Sequence, residues 1–303
     1  MKYRSNREPI LFIVNPISGR RNKSLLTQQI EKYIDRVRYE PVICFTHQAG
    51  DATRLVKIYK KEGIKYMIAV GGDGTVNEVA RAVAGKNDLV LGIIPAGSGN
   101  GLARHLDIPF RVKWAMSIIN KPKIVKIDYG LMNKVPFFCT CGVGFDALVG
   151  NRFAESEIRG FWSYLVTAFK EYFIYKPKYY QIETPHGRER KRAFLITCAN
   201  ASQYGNNAFI SPDADIQDGM LDVVMISPFP YMRAIGLGFH LLSRSIYRSR
   251  YHTMFRTDEL VIRRKKAGEV HFDGEPGWMR KKIRIKIVPQ GLSIMVSQKS
   301  KLQ

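Results

Sequence analysis

Four short apolar runs punctuate the first 130 residues, ILFIV (10–14), VICF (42–45), YMIAV (66–70) and LVLGII (89–94), with helical patterns between them. This alternation is the strongest constraint on the fold, because short strands separated by helix-length segments build parallel βαβ units. Each run stops at a segment of small polar residues: NPISG, THQAGDA, GGDGT and PAGSGN. All strands of a parallel sheet end on one edge, so these four loops are expected to converge there. Ligands of doubly wound sheets bind at that carboxyl edge.

From about Asp128 the texture changes to short runs punctuated by turns: FFCTCGV (137–143), AFLITCANA (193–201), MLDVVMIS (220–227), ELVIRR (259–264), EVHFDGE (269–275), IRIKIV (283–288) and LSIMVS (292–297). These read as antiparallel strands. Helical patterns interrupt them at 157–175 and 230–250, the second with Ile235, Phe239, Leu242 and Ile246 on one face and Arg244, Arg248 and Arg250 at its end. A chain of 303 residues accommodates two domains of ordinary size. We expect an α/β domain over 1–128 and a β-rich domain over 129–303, with a return of the last strand to the first domain left open.

Lys and Arg number 48 against 26 Asp and Glu, a net charge of +22 divided evenly between the two halves of the chain. Such an excess calls for an anionic partner, whether nucleic acid, a phosphorylated small molecule or an acidic membrane surface. No helix-turn-helix or RNA-binding signature accompanies it, so nucleic acid is not expected. The basic runs 188–192, 263–266 and 280–282 are candidates for membrane contact, with the apolar face of 230–250 as a wedge; a solvated face is the plainer reading of each run. Cys44, Cys139, Cys141 and Cys198 read as buried reduced thiols, since no nearby His completes a metal pair. No stretch approaches the ~18 apolar residues of a spanning helix, and the first sixteen residues lack a signal-peptide core. A cytoplasmic protein with peripheral membrane association is expected, and a homodimer is left open.

Two loops carry the chemistry. GGDGTVNEV (71–79) lies between a strand and a helix read as opening at Asn77, where glycines let backbone amides approach an anion. PAGSGNGLAR (95–104) repeats the device at the next strand end. Neither ends in the Lys of a Walker A loop. Asp215, Asp218 and Asp222 fall within eight residues beside Gly219, a spacing that could wrap a hard cation or simply form a solvated turn. Asp273 and Glu275 occupy a tight turn, FDGEPG, and could serve as a general base or merely close a hairpin. Asp146 leaves an apolar strand inside Gly142-x-Gly144-x-x-Ala147, a weak dinucleotide fingerprint read as accidental because no second βαβ strand follows.

In order along the chain, FIVNPISGR, THQAGDA, GGDGTVNEV, GIIPAGSGNGLAR, CGVGFDA, DIQDGMLDVV and FDGEP resemble the diacylglycerol kinase catalytic-domain family of lipid kinases, which includes sphingosine and ceramide kinases. The resemblance implies an N-terminal parallel α/β nucleotide-binding domain like that of NAD kinase, a C-terminal β-sandwich, and an ATP site in the cleft between them. It implies an ATP- and Mg²⁺-dependent kinase acting on a lipid hydroxyl at an anionic membrane surface. Carried over by position, Asn15, Pro16, Ser18, Gly19, Thr46, Gly71, Gly72, Asp73, Gly74, Thr75, Asn77, Glu78, Ser98, Gly99 and Asn100 would hold the nucleotide. Asp215, Asp218 and the carbonyl of Met220 resemble a structural Mg²⁺ site. Glu275 with Asp273 beside it matches one proposed proton acceptor; similarity to sphingosine kinases would instead make Asp73 the base and Asp146 a partner of the lipid head group. The loop 97–101, Gly-Ser-Gly-Asn-Gly, is closer to the sphingoid-base and ceramide kinases than to the commoner bacterial pattern. The alternatives are another GGDGT kinase, such as an NAD kinase, or a non-catalytic basic module that binds nucleic acid or membrane.

Overall fold

The computed structural model describes residues 7–17, 23–155 and 161–303. The chain divides into two compact units, Met1–Ile127 with Gln290–Gln303, and Asp128–Pro289.

The first unit runs β1 (Glu8–Val14), α1 (Lys23–Tyr33), β2 (Tyr39–Phe45), α2 (Asp51–Lys61), β3 (Tyr66–Gly71), α3 (Asp73–Val83), β4 (Val90–Pro95), α4 (Gly101–His105) and α5 (Val112–Asn120). Its strands are parallel in the order β2-β1-β3-β4. β1 pairs on one side with its successor and on the other with β3, so the order reverses between β1 and β3. The crevice at such a reversal is the ligand position of open parallel sheets. Burial follows the expectation for a sheet covered on both faces: every residue of β3 is buried. α3 opens at Asp73, four residues before the expected Asn77, with Gly72 extended at its N-cap and Asp73 in the first turn. A carboxylate there meets the positive end of the helix dipole.

β5 (Lys123–Met132) carries the chain into the second unit, followed by β6 (Val135–Phe137), β7 (Thr140–Gly144), α6 (Phe145–Glu155), α7 (Phe161–Ile174), β8 (Lys178–Thr184), β9 (Gly187–Ala193), β10 (Leu195–Ala199), β11 (Leu221–Ile226), α8 (Ala234–Leu242), β12 (His252–Thr257), β13 (Glu259–Arg264), β14 (Gly268–Phe272), β15 (Glu275–Met279) and β16 (Lys282–Val296). One antiparallel sheet has the order β12-β11-β10-β7-β14-β15. The other joins the first half of β16 to β13, β8 and β9. Their inner faces form one apolar core that includes Phe137, Val143, Tyr180, Ile196, Val223, Ile262 and Ile285, so the unit is a sandwich.

Three sequence expectations change. The runs 283–288 and 292–297 are one strand: Ile283, Ile285 and Ile287 alternate with exposed cations, and then Leu292–Val296 is wholly buried. Between them Gln290 takes a left-handed φ of 49° after Pro289, and beyond that bend Ile294 pairs in parallel with Leu91 of β4 in the first unit. The segment 290–303 therefore belongs to the first unit. The helical pattern 230–250 breaks at Arg244, whose φ of 56° ends the run, and Ile246 is buried while Ile235, Phe239 and Leu242 are exposed, so the four do not share a face. In the pattern 157–175, residues 157–160 lie outside the described residues and α7 covers the remainder to Ile174.

Candidate functional site

In the first unit the glycine loops after β3 and β4 meet at backbone distance. A Cβ built on Gly97 would lie 2.6 Å from the Gly72 Cα, and one on Gly99 would collide with Asp73 Oδ2. Only glycine fits this approach. The Asp73 carboxylate spans the junction, Oδ2 accepting from the Asn100 amide at 2.7 Å and Oδ1 from the Gly101 amide at 2.8 Å. The Ala96 amide donates to the Gly71 carbonyl at 2.8 Å. Across the strand reversal, Asn15 Nδ2 donates to Thr75 Oγ1 at 3.2 Å, joining the loop after β1 to the start of α3. Asn15 also accepts from the Ile17 amide, closing a local turn over Pro16. Ser18 and Gly19 lie outside the described residues.

The first intrahelical bond of α3 runs from the Val76 amide to the Gly72 carbonyl. The amides of Asp73, Gly74 and Thr75 precede it and point out of the helix start, the geometry that receives anions. Among the described residues nothing lies within 4 Å of a Cβ built on Gly74, so they leave that side of the turn open. Asn100, left-handed at φ 51°, donates from Nδ2 to the Gly97 carbonyl at 2.7 Å, and its side-chain oxygen is buried without a hydrogen-bond donor among the described residues. An orphaned buried acceptor beside an open glycine turn fits a ligand that brings both an anion and a donor. Thr46 is buried at the end of β2, its amide bonded to the Val14 carbonyl, and Asn77 is buried in α3. Ser98 is exposed. Glu78 is drawn into the scaffold: its oxygens accept from the Gly50 and Ala52 amides at 2.9 and 3.2 Å, at the start of α2.

Three carboxylate centres lie among the described residues of the second unit, at the β14–β15 turn, at the start of α6 and at the turn before β11. Asp273 and Gly274, both with positive φ, form the two-residue turn between β14 and β15. The Asp273 carboxylate accepts from the Phe138, Cys139 and Thr140 amides at 2.8, 2.7 and 3.0 Å. It anchors the turn that presents Glu275, the first residue of β15. Asp146, at the start of α6, has Oδ2 within 2.8 Å of Thr197 Oγ1, 3.2 Å of Tyr204 OH and 2.9 Å of His271 Nε2. A carboxylate accepts only, so His271 carries its proton on Nε2. A Cβ on Gly142 would come 2.8 Å from His271 Nε2 and 2.7 Å from the Ile196 carbonyl. Close packing of β7 on β10 and this cluster thus explains the glycines of the dinucleotide-like pattern. His271, Thr197 and Tyr204 carry no signal in sequence spacing; strand pairing brings His271 and Thr197 to Asp146, and the loop after β10 brings Tyr204.

At the acidic turn before β11, Asp215 accepts from the Gln217 amide and Asp218 from the Met220 amide, both at 2.9 Å, while the wholly buried Asp128 accepts from the Gly219 amide at 2.7 Å. Asp128 is the member that spacing did not reveal. Arg256 pairs with Asp222 at 2.9 Å and with Asp218 at 3.7 Å. Burial pushes the Asp218 carboxyl up, Arg256 and the Met220 amide hold it down, and the charges of Asp215 and Asp222 raise it further. Among the described residues no three His, Cys, Asp or Glu side chains cluster to hold a metal. The carboxylates of Asp215 and Asp218 and the Met220 carbonyl are hard oxygens, the donor type that Mg²⁺ takes.

Burial pushes the Cys141 thiol well up, with Cys198 beside it; Cys139, Cys141 and Cys198 are buried outside any disulfide, whereas Cys44, also expected to be buried, is only half-buried. The basic run in β9 is partly paired, Arg188 with Glu183 at 2.9 Å and Lys191 with Glu189 at 2.9 Å. Arg264 is spent on the carbonyls of Gly268, Glu269 and Met279.

A parallel α/β unit with braced glycine loops after β3 and β4 is joined in this chain to a sandwich unit carrying an Asp-Gly-Glu hairpin, and the comparisons with known proteins assign this pair of units to the kinases. The family described as diacylglycerol kinase catalytic domain matches residues 9–132, and that described as YegS C-terminal NAD kinase beta sandwich-like domain matches 139–296. Similar proteins include one named "Probable lipid kinase YegS-like" from Chromohalobacter salexigens, 25% identical over 288 residues and covering 92% of each chain. A protein of the same name from Pseudomonas aeruginosa is 28% identical over 258 residues, covering 84% of each. A solved structure described as a diacylglycerol kinase from Bacillus anthracis superposes with a TM-score of 0.75 at 19% identity, covering 98% of this chain and 99% of that one, which shows the fold. The chain belongs to the diacylglycerol kinase catalytic-domain family of lipid kinases, in its YegS-like form.

Proposed function

We propose that this lipid kinase transfers the γ-phosphoryl group of ATP to a hydroxyl of a membrane lipid of the diacylglycerol or sphingoid-base and ceramide type. The observation that carries the reading is the backbone contact of Gly72 with Gly97, bridged by Asp73 to the Asn100 and Gly101 amides. Phosphoryl transfer asks a protein chiefly for positioning and charge stabilisation. The α3 amides at Asp73, Gly74 and Thr75 would receive the phosphates, with Asn15, Pro16, Thr46, Gly71, Gly72, Asn77, Ser98 and Gly99 lining the nucleotide. The orphaned Asn100 oxygen would accept from a nucleotide hydroxyl or amine. Ser18 and Gly19 complete the proposed set. Glu78 supports it by holding α2.

Mg²⁺ would supply neutralisation of phosphate charge, and a second ion at Asp215, Asp218 and the Met220 carbonyl would brace the second unit. Glu275 is the proposed proton acceptor and Asp273 its positioning residue, because the Asp273 oxygens already accept three amides. A carboxylate in that role contributes about 10²- to 10⁴-fold. Asp146 is the proposed lipid-side residue; a head group would reach its Oδ2 by displacing Thr197, Tyr204 or His271. No helix among the described residues is long and apolar enough to cross a membrane. The enzyme is proposed to work in the cytoplasm, meeting its acceptor from the bilayer surface.

The test is transfer from γ-labelled ATP to a panel of diacylglycerol, sphinganine, ceramide, phosphatidylglycerol and NAD, with the labelled product identified. Label in one lipid and none in NAD is expected. Label in NAD alone, or ATP consumption with no acceptor, would overturn the reading.

A further inference from the structure

The second unit carries an apolar surface that the chemistry above does not use. α8 is apolar on its inner and its outer face: Leu237 and Leu241 pack into the cluster around Phe194, Ile210 and Ile246, whereas Ile235 and Phe239 face outward at 86% and 67% exposure. Just before it Met232 is 75% exposed. α7 extends the patch with Phe169, Phe173 and Ile174, all exposed. The two elements form one surface, since the Phe173 ring lies 6.5 Å from Tyr231, and Tyr172 OH donates to the Phe229 carbonyl at 2.6 Å. Scattered exposed apolar side chains need no explanation, but a contiguous patch of this kind marks an interaction site.

Charge decides the partner. Arg233, Arg244, Arg248 and Arg250 are exposed around α8, and no acidic residue occurs between Asp222 and Asp258. On α7, Lys170 is exposed, and the acid of the segment, Glu171, pairs with Arg152 at 3.6 Å. A symmetric contact with a second copy would set these cations against themselves. An anionic lipid surface offers the opposite sign, and a helix of about 13 Å with apolar residues facing outward and arginines at its ends lies in the interface plane rather than spanning it.

We propose that the outward faces of α7 and α8 dock this protein on an anionic bilayer, with Phe169, Phe173, Ile235 and Phe239 entering the acyl boundary and the arginines around α8 contacting head-group phosphates. The proposal rests on the reading of a membrane lipid as acceptor and names the surface by which the bilayer is met. It assigns the contact to this patch rather than to the partly paired basic run of β9.

Flotation with phosphatidylcholine vesicles, with and without phosphatidylglycerol, tests it for the wild type, for the double variant Ile235→Asp/Phe239→Asp, and for Arg188→Gln/Arg190→Gln in β9. All four positions are exposed, and melting temperatures check the fold. The double aspartate variant should lose binding to anionic vesicles about 10-fold or more, and the β9 variant less than about 2-fold. Transfer to a short-chain, water-dispersed acceptor should be unchanged in both. Unchanged flotation of the aspartate variant, or greater loss in the β9 variant, overturns the proposal. So does a wild type that floats equally without phosphatidylglycerol, or an aspartate variant that only converts a dimer to monomer in sedimentation. Absence of transfer by the wild type to every acceptor would contradict the kinase reading while leaving the vesicle result to judge the docking surface on its own.

Discussion

Asp73 and Asp273 are both carboxylates that accept backbone amides of a neighbouring segment, yet they organise different kinds of site. Asp73 ties two glycine loops together and leaves open main chain on the Gly74 side, so its unit offers backbone donors. Asp273 accepts three amides and fixes a hairpin whose first strand residue after the turn is Glu275. The first unit presents main chain and the second presents side chains. Substitutions should therefore act differently in the two: through binding and loop order in the first, through turnover in the second.

The sharpest contrast sets Asp73→Ala against Glu275→Gln. Both should lower kcat/KM by about 10²- to 10⁴-fold. Only Asp73→Ala should also weaken binding of a non-hydrolysable ATP analogue, because loop 97–101 loses its tie. Equal nucleotide affinity in the two variants would erase the distinction drawn here.

Next in size is Gly97→Ala. Its methyl would meet the Gly72 backbone at 2.6 Å, which no side-chain movement relieves, so a loss of about 1–3 kcal/mol and a lower Tm are expected in calorimetry. In the second unit Asp146→Asn replaces an acceptor with a group that faces three donors. A cost of about 1–3 kcal/mol is expected by urea unfolding. Asp146→Asn matching the wild type in stability would mean that the His271 contact is dispensable.

The smallest effect concerns Asp218. Its raised carboxyl pKa means that the folded state holds this proton more readily than the unfolded chain. The associated stability is complete below the ordinary carboxylate range and is lost as pH rises through the raised value. Mg²⁺ binding at this turn would offset the repulsion above that point. Added Mg²⁺ should raise Tm more at neutral pH than near about pH 4, and Asp215→Asn should abolish the increment.

Much of the first unit was legible because strand runs and glycine loops each have a local signature, and parallel strands must bring those loops to one edge. β16 shows why less of the second was. Its alternating half, Lys282 to Ile287, and its continuous half, Leu292 to Val296, record two environments, but the single strand that passes from one to the other depends on the bend at Pro289 and Gln290. α8 misled by its apolar outer face: Ile246 shares the helical spacing of Ile235, Phe239 and Leu242, and the left-handed Arg244 sends it into the core. The partners of Asp146 lie 51, 58 and 125 residues away; the pairing of β7, β10 and β14 brings Thr197 and His271 to it, and the loop after β10 brings Tyr204.

The paired glycine loops as a phosphate cradle are best tested at Gly74, where a Cβ meets none of the described residues within 4 Å. Isothermal titration of the Mg²⁺ complex of a non-hydrolysable ATP analogue should show Gly74→Val binding at least about tenfold weaker than wild type, a difference of about 1.4 kcal/mol, with Tm unchanged. Equal affinity of variant and wild type at equal stability would contradict the cradle.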